Sequence, residues 1–574
     1  MTDSPADNID PQSPDKQAAD KQSPYQPQQT EPAAGSRPPS MRSAWVALGL
    51  ATAVIAIAQF VYAPRFDYQN AHLISLVSVC IATLYLLFCL HRRVRWGGHP
   101  WRVPIVALVA GLLLMIGFRF DGFSGEMFPQ FQWRFQTAPQ HKLKSIVGEA
   151  PLADTNSESG STAADSSIAV PGGGDSPQFL GPNRNAVYPD RDFSIPGNDS
   201  DLEVVWDQGI GAGWSSFAVQ DGYAITLEQR DDQECLTCYR LADGELLWIQ
   251  RHPGLHTNTL GGTGPRSTPT LVDGKVYAST ATGWIWCVEQ SSGEIVWTVD
   301  LLALAGWNQS EFEAAAPWGY AGSPLIVDQL CVLPMGGPVG QPSSASLVAL
   351  NKDTGETVWT SGDDQLSYAS PILTTLGGQP QIVSVNEKTV SGHAIADGTQ
   401  LWSFDWPGST NTGANCSSAI SVSGDRLLVG KGYGGGSALV EVSDRDGQWT
   451  TQDVWRSNRI LKTKFNHACI KNEVAFGISN GALQAVDLND QSVFWTQPRQ
   501  SRAAQGQVIL AGDVLIVQDE QGDVVFVPAI TEDYQEALRL PALDSKTWNI
   551  PTLAGRFLLV RNDRQAICYR LPAK

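Results

Sequence analysis

A chain of 574 residues has room for several domains or one large repetitive array, and its 39 basic against 58 acidic residues leave a formal net charge of −19. With no basic cluster in its repetitive part, that balance argues against nucleic acid as a partner. The 54 Gly and 19 Trp suit many tight turns with an aromatic element per repeat, and the nine scattered Cys read as small buried strand residues.

Residues 1–40 are rich in Pro, Gln, Ser and Asp and read as a disordered cytoplasmic tail. Three apolar spans follow, 44–63, 73–90 and 103–118, which give a membrane domain over 41–120 with three transmembrane helices. His91, Arg92, Arg93, Arg95 and Arg102 lie between the second and third spans, whereas the loop after the first holds only Arg65 with Asp67. The positive-inside rule therefore puts the N-terminus and second loop in the cytoplasm of a bacterial-type inner membrane, and everything after Phe118 on the periplasmic side. Residues 121–176 read as a juxtamembrane segment, with Trp133 and Phe135 at the interface, followed by a Ser, Gly and Pro-rich tether over 145–175.

Order resumes at Pro177-Gln178-Phe179-Leu180-Gly181-Pro182-Asn183-Arg184. From there, β-branched and aromatic runs separated by turn signals recur in groups of four, most clearly over 267–299. The last turn of a group sets a Gly four residues before a Trp: Gly244/Trp248, Gly293/Trp297, Gly355/Trp359 and Gly398/Trp402. Such sheets stack face to face, with these tryptophans as packing between blades. Groups fall near 215–250, 267–299, 321–361, 368–405, 416–456, 466–496, 506–540 and 550–572. The fifth and sixth keep Trp455 and Trp495 but lose the glycine spacing, and the eighth lacks a fourth strand, which residues 202–206 supply. The fold is an all-β, eight-bladed β-propeller over 177–574, with seven blades as the fallback count.

On these motifs the domain resembles the quinoprotein-type, PQQ-repeat propellers, and is similar to their BamB-like branch. That family includes PQQ-dependent alcohol dehydrogenases as well as outer-membrane assembly proteins without a quinone, so the resemblance implies architecture more than chemistry. A quinoprotein dehydrogenase needs a calcium ion over the quinone and a catalytic carboxylate. The chain has no adjacent Cys pair, no Cys-x-x-Cys-His, and no motif around Glu387, Asp519 and Glu520 that matches those positions. PQQ with calcium is therefore not favoured, and the catalytic residues and cofactor are left unassigned. No metal site is expected: Cys235 and Cys238 form a CxxC, but in a strand they face opposite ways.

Loops ahead of first strands and turns between second and third strands share one face. They line a funnel with Arg266, Trp318, Tyr320, Tyr368, Glu387, Asn415, Asn466, His467 and Asn549, a composition suited to a polar ligand or peptide. Arg266 either holds a carboxylate-bearing ligand or pairs with Glu387 or a nearby carbonyl. His467 is a base or a hydrogen-bonded loop residue, Trp318 and Tyr320 stack on a ring or plug the channel, and Gly434 to Gly436 form a mobile loop. The preferred reading is a membrane-anchored binding or scaffold module for a protein or small ligand. PQQ-dependent oxidoreductase and ligand sensor are the alternatives.

Overall fold

The computed structural model describes residues 39–135, 143, 174–190, 192–408 and 413–574. The expected disorder of the tail and most of the expected tether fall on residues 1–38 and 144–173, outside the described residues.

Helix α1 (Arg42–Ile57) continues through a π-helical turn (Ala58–Tyr62) that precedes Pro64, then through Ala63–Arg65. Asp67 starts helix α2 (Tyr68–Trp96) by accepting the Gln69 N–H at 2.5 Å, and α3 (Arg102–Gly117) follows a short turn. The stretches Arg42–Arg65 and Tyr68–Trp96 are long and apolar enough to cross a membrane by length and composition, and only 11% and 6% of their most apolar windows are buried in the protein. A core helix of a water-soluble domain would hide one apolar stripe, whereas these expose Val46, Leu50, Ile57, Ile81 and Leu84. The third expected span is shorter than predicted. At 16 residues α3 rises about 24 Å, less than the roughly 30 Å of a hydrocarbon core, so two helices of spanning length stand where three were expected. The chain then turns into a hairpin, β1 (Phe118–Phe123) with β2 (Pro129–Trp133), whose Phe120, Phe128, Phe131 and Trp133 are exposed.

Eight four-stranded antiparallel blades follow, opening at Ala218–Gln220, Thr270–Val272, Leu325–Val327, Ile372–Leu376, Ile420–Val422, Cys469–Lys471, Gln507–Ala511 and Thr552–Ala554. The eighth takes its outer strand, Glu203–Gly209, from the start of the domain, with Trp206 opposite Cys568. The two ends of the domain therefore close one sheet, no edge is left open, and the seven-blade fallback falls away.

The spacing of Gly and Trp has a direct physical cause. Trp206, Trp248, Trp297 and Trp359 each donate their indole N–H to the next blade, to the carbonyls of Leu241, Gln290, Lys352 and Ile395. Three residues beyond each carbonyl stands Gly244, Gly293, Gly355 or Gly398, at φ between +68° and +76°. A Cβ there would lie 2.5–2.8 Å from the tryptophan ring. Trp402 departs from this pattern, because the fifth blade offers no such glycine; its indole N–H donates to Gln381 of its own blade.

The lead-in segment seals one end of the channel. Leu271 donates to the Pro177 carbonyl, and the fully buried Arg184 guanidinium donates to the carbonyls of Ser323, Pro324 and Pro371 from the third and fourth blades. Val187–Tyr188 then pairs parallel to the innermost strand of the seventh blade.

Candidate functional site

On the opposite face, loops and turns enclose a cavity of about 460 Å³, within the size range of small-molecule sites. Its walls are the rings of Trp214, Trp318, Tyr368, Tyr433, Phe465 and Trp548, and Phe179 of the lead-in segment also contributes. Trp318 and Tyr433 face each other 8° from parallel with centroids 6.4 Å apart, and Tyr368 meets Trp318 edge-on at 5.1 Å. Tyr433 holds φ +57°, a strained backbone for a bulky residue.

The remaining wall comes from outside the propeller, from Gln69 at the start of α2 and from Ser124, Gly125 and Met127 at the tip of the β1–β2 hairpin. These segments form a lid held by polar contacts to blades five to eight. Asp67 caps α2 with one carboxylate oxygen and accepts the Gly434 N–H at 3.0 Å with the other. Lys462 donates to the carbonyls of Arg65 and Phe66, and Asn480 bonds Ala63 and Tyr68. Lys464, itself buried, donates to Gln69 and to the Gly125 carbonyl. At the hairpin tip, Glu520 accepts the Gly125 N–H, Lys546 donates to the Phe123 carbonyl, and Arg502 pairs with Glu126 at 3.0 Å. Burial raises the Glu126 carboxyl above its usual range, against the lowering effect of Arg502 and Lys464. The glycines at 434–436, expected to make a loose loop, instead let the backbone approach Asp67.

Three polar groups inside the cavity lack full partners. Arg266 donates to the carbonyls of Gly264 and Gly261 at 3.0 and 2.7 Å and has no ion pair among the described residues. Desolvation lowers it to about 10, so it remains charged at neutral pH. The buried Tyr368 hydroxyl has no hydrogen-bond partner. His467 Nε2 accepts the Ser418 N–H at 2.9 Å, which in the neutral ring leaves the proton on Nδ1, a buried donor without a partner. Burial lowers His467 to about 4, so the ring is neutral.

Arg266, Trp318, Tyr368 and His467 of the sequence-derived set line this cavity together. The others do not. Tyr320 turns into the core of its blade and donates to the Pro334 carbonyl. Glu387 lies 3.9 Å from Lys388 rather than beside Arg266. Asn415, Asn466 and Asn549 are buried braces whose amides donate to backbone, Asn415 to Asn386, Glu387 and Trp406, Asn466 to Gly506, and Asn549 to Gly213 and Ser215. Residue type alone did not mark Tyr433, Phe465, Trp214 and Trp548. The alternation Leu461-Lys462-Thr463-Lys464-Phe465 was a signal that two lysines share a side.

PQQ with calcium does not fit this lining. No carboxylate lines the cavity to ligate calcium or to act as a base, and a single guanidinium faces what would be three carboxylates. Asp519 is bound by Arg539 and backbone N–H groups, and Glu520 by Gly125, Gln505 and Trp548. Cys235 and Cys238 are both buried, and burial raises both thiols, Cys235 to about 12.

The profile of the family described as outer membrane protein assembly factor BamB matches residues 198–339 and 307–532. BamB from Moraxella catarrhalis is similar at 14% identity and a TM-score of 0.43, over 64% of this chain and 98% of that one. The quinohemoprotein alcohol dehydrogenase ADHIIG from Pseudomonas putida HK5 is similar at 13% identity and a TM-score of 0.37, over 70% of this chain and 81% of that one. The corresponding enzyme from Comamonas testosteroni gives the same figures. No curated protein matches the chain.

Proposed function

The chain belongs to the family described as outer membrane protein assembly factor BamB, and from that premise we propose that it is a membrane-anchored, extracytoplasmic binding module. In this reading α1, α2 and α3 cross a bacterial-type cytoplasmic membrane with the N-terminus inside. The propeller sits outside with its lidded funnel toward the bilayer, where the funnel holds a small ligand. The face of repeated Gly–Trp turns is free for a protein partner, in line with the family's description.

The observation that carries this reading is the placement of α2. Its first turn is docked on the propeller through Tyr68 and Asp67, while Arg92, Arg93 and Arg95 lie near its far end, about 43 Å away for 29 residues. The basic cluster and the propeller thus stand at opposite ends of an apolar helix, as positive-inside orientation requires. The hairpin after α3 returns to the same face of the propeller as the start of α2, so the chain crosses back between them. Residues Phe118 to Phe120 add about 10 Å of extended chain to the short α3, and exposed Phe120, Phe131 and Trp133 suit an interfacial belt.

Reporter fusions test the orientation: alkaline phosphatase at Lys574 is expected to be active and a fluorescent protein there dark, with the reverse for fusions within the turn at 97–101. A fluorescent C-terminal fusion overturns the proposal. Titration of the full chain with PQQ and calcium is expected to leave thermal stability unchanged, because only a ligand that binds the folded state raises it. A saturable, calcium-dependent stabilisation would establish the dehydrogenase instead.

A further inference from the structure

The chamber under the lid has a one-sided polar character. Its walls are aromatic, and the groups left without full partners are donors: the remaining N–H groups of Arg266, the Tyr368 hydroxyl and the His467 Nδ1–H. Among the described residues no carboxylate lines the cavity, so a cationic ligand meets no counter-charge and a guanidinium instead. A buried cation without an acid partner is costly, and an anion that enters with it offsets that cost. A strongly hydrated sugar gains little from such walls, whereas a flat ring gains both area and stacking.

We propose that this chamber binds a planar, largely apolar monoanion, an aromatic or conjugated carboxylic acid, with its ring against Trp318 and Tyr433 and its carboxylate on Arg266. The proposal rests on the reading of the funnel as a ligand pocket. Arg266 supplies the charge-assisted contact, Tyr368 a second donor, and the aromatic walls the desolvation that makes both count. Charge number separates this ligand from a quinone tricarboxylate, which would bring uncompensated negative charge into an apolar space.

The test uses three probes with one ring system and different charge: 2-naphthoate, 2-naphthamide and 2-naphthylmethylammonium. Each is titrated calorimetrically into the full chain in detergent, with micelles alone as the blank. Naphthoate is expected to bind at least tenfold more tightly than the amide, and the ammonium not at all. Arg266→Gln is expected to bring naphthoate down to the affinity of the amide while changing amide binding less than threefold, and Tyr368→Phe to weaken naphthoate about threefold to tenfold. Equal binding of all three probes overturns the monoanion while leaving the pocket standing. Binding of none overturns the pocket reading itself. If Arg266→Gln does not melt cooperatively, the charge preference of Tyr368→Phe decides, since an undiminished preference for naphthoate with that variant removes Tyr368 from the proposal and a lost one supports it.

Discussion

The two faces of the propeller are built on different logic. On one, a single contact is made again and again: an indole N–H to a carbonyl, and a tryptophan ring over a glycine of the next blade. On the other, each contact is made once, between segments up to several hundred residues apart, as Asp67 with Gly434 or Gly125 with Glu520. The repeated face sets the radius and closure of the ring. The singular face specifies what this chain does with the ring, namely to close its funnel with its own apolar N-terminal domain.

The sharpest way to break the repeated face is Gly293→Ala. The new methyl would lie 2.7 Å from the Trp248 ring at φ +73°, so steric overlap and backbone strain act together, and a loss of roughly 2–4 kcal/mol is expected. Gly274→Ala is the control. It has the same φ of +73° with nothing within 4 Å, so only strain of about 1 kcal/mol remains. Denaturant melts of the two variants measure the difference; equal losses would mean that the tryptophan seam contributes nothing.

Acid distinguishes the faces next. His393, bonded to Ser361 and Ser391 beneath the repeated turns, and His467 beside the cavity are both lowered to about 4 by burial. Between pH 6.5 and 4 the unfolded chain takes up protons on these rings and the folded chain does not, so each site loses stability as pH falls through that window. From pH 7 to 5 the loss is about 2 kcal/mol per fully buried ring. His467→Gln keeps an acceptor for the Ser418 N–H and is expected to flatten the pH profile by that amount. An unchanged profile would show that His467 is already protonated or exposed.

The singular face breaks more quietly. Lys462→Met removes the donor to Arg65 and Phe66 and is expected to weaken lid docking by about 1–2 kcal/mol while the propeller melts as before. Hydrogen exchange at Ser124 to Met127 and at Gln69 reads the lid directly. Faster exchange there with an unchanged melt is expected, whereas a lower melting temperature with unchanged exchange would make Lys462 part of the ring instead.

This contrast also explains what the sequence made legible. Repetition exposed the blades, and residues 202–206 were identified as the closing strand because the eighth group lacked one. Arg266, Trp318, Tyr368 and His467 were visible as chemistry-bearing residues ahead of first strands. Tyr320 and the three asparagines occupy the same kind of position, yet bond backbone within and between blades, since position in a loop does not fix the direction of a side chain. The lid was invisible for a different reason: Asp67 and Gly434 are 367 residues apart and meet once, so no periodicity announces them. Length decided the third helix, where a Val103-to-Phe118 apolar run hides the change to strand at Phe118.

The sixth blade offers the finest test. Its turn was read as having lost the glycine spacing, yet Trp455 donates to the Leu488 carbonyl as its counterparts do, and three residues on stands Gln491 at φ +66°. Gln491 N–H bonds the Asp487 carbonyl at 3.0 Å, as Gly293 bonds Glu289 at 2.8 Å, and Trp495 follows four residues later. Glutamine therefore occupies the glycine position and carries the left-handed strain that glycine would avoid. Gln491→Gly relieves about 1–2 kcal/mol of strain against the greater freedom of glycine in the unfolded chain, for a net gain of roughly 0.5–1 kcal/mol. Gln491→Ala keeps the strain and is expected to change stability little, so the difference between the two variants isolates the backbone. If glycine proves no better than alanine, the sixth turn is not a disguised copy of the others, and the seam it makes is held by the indole hydrogen bond alone.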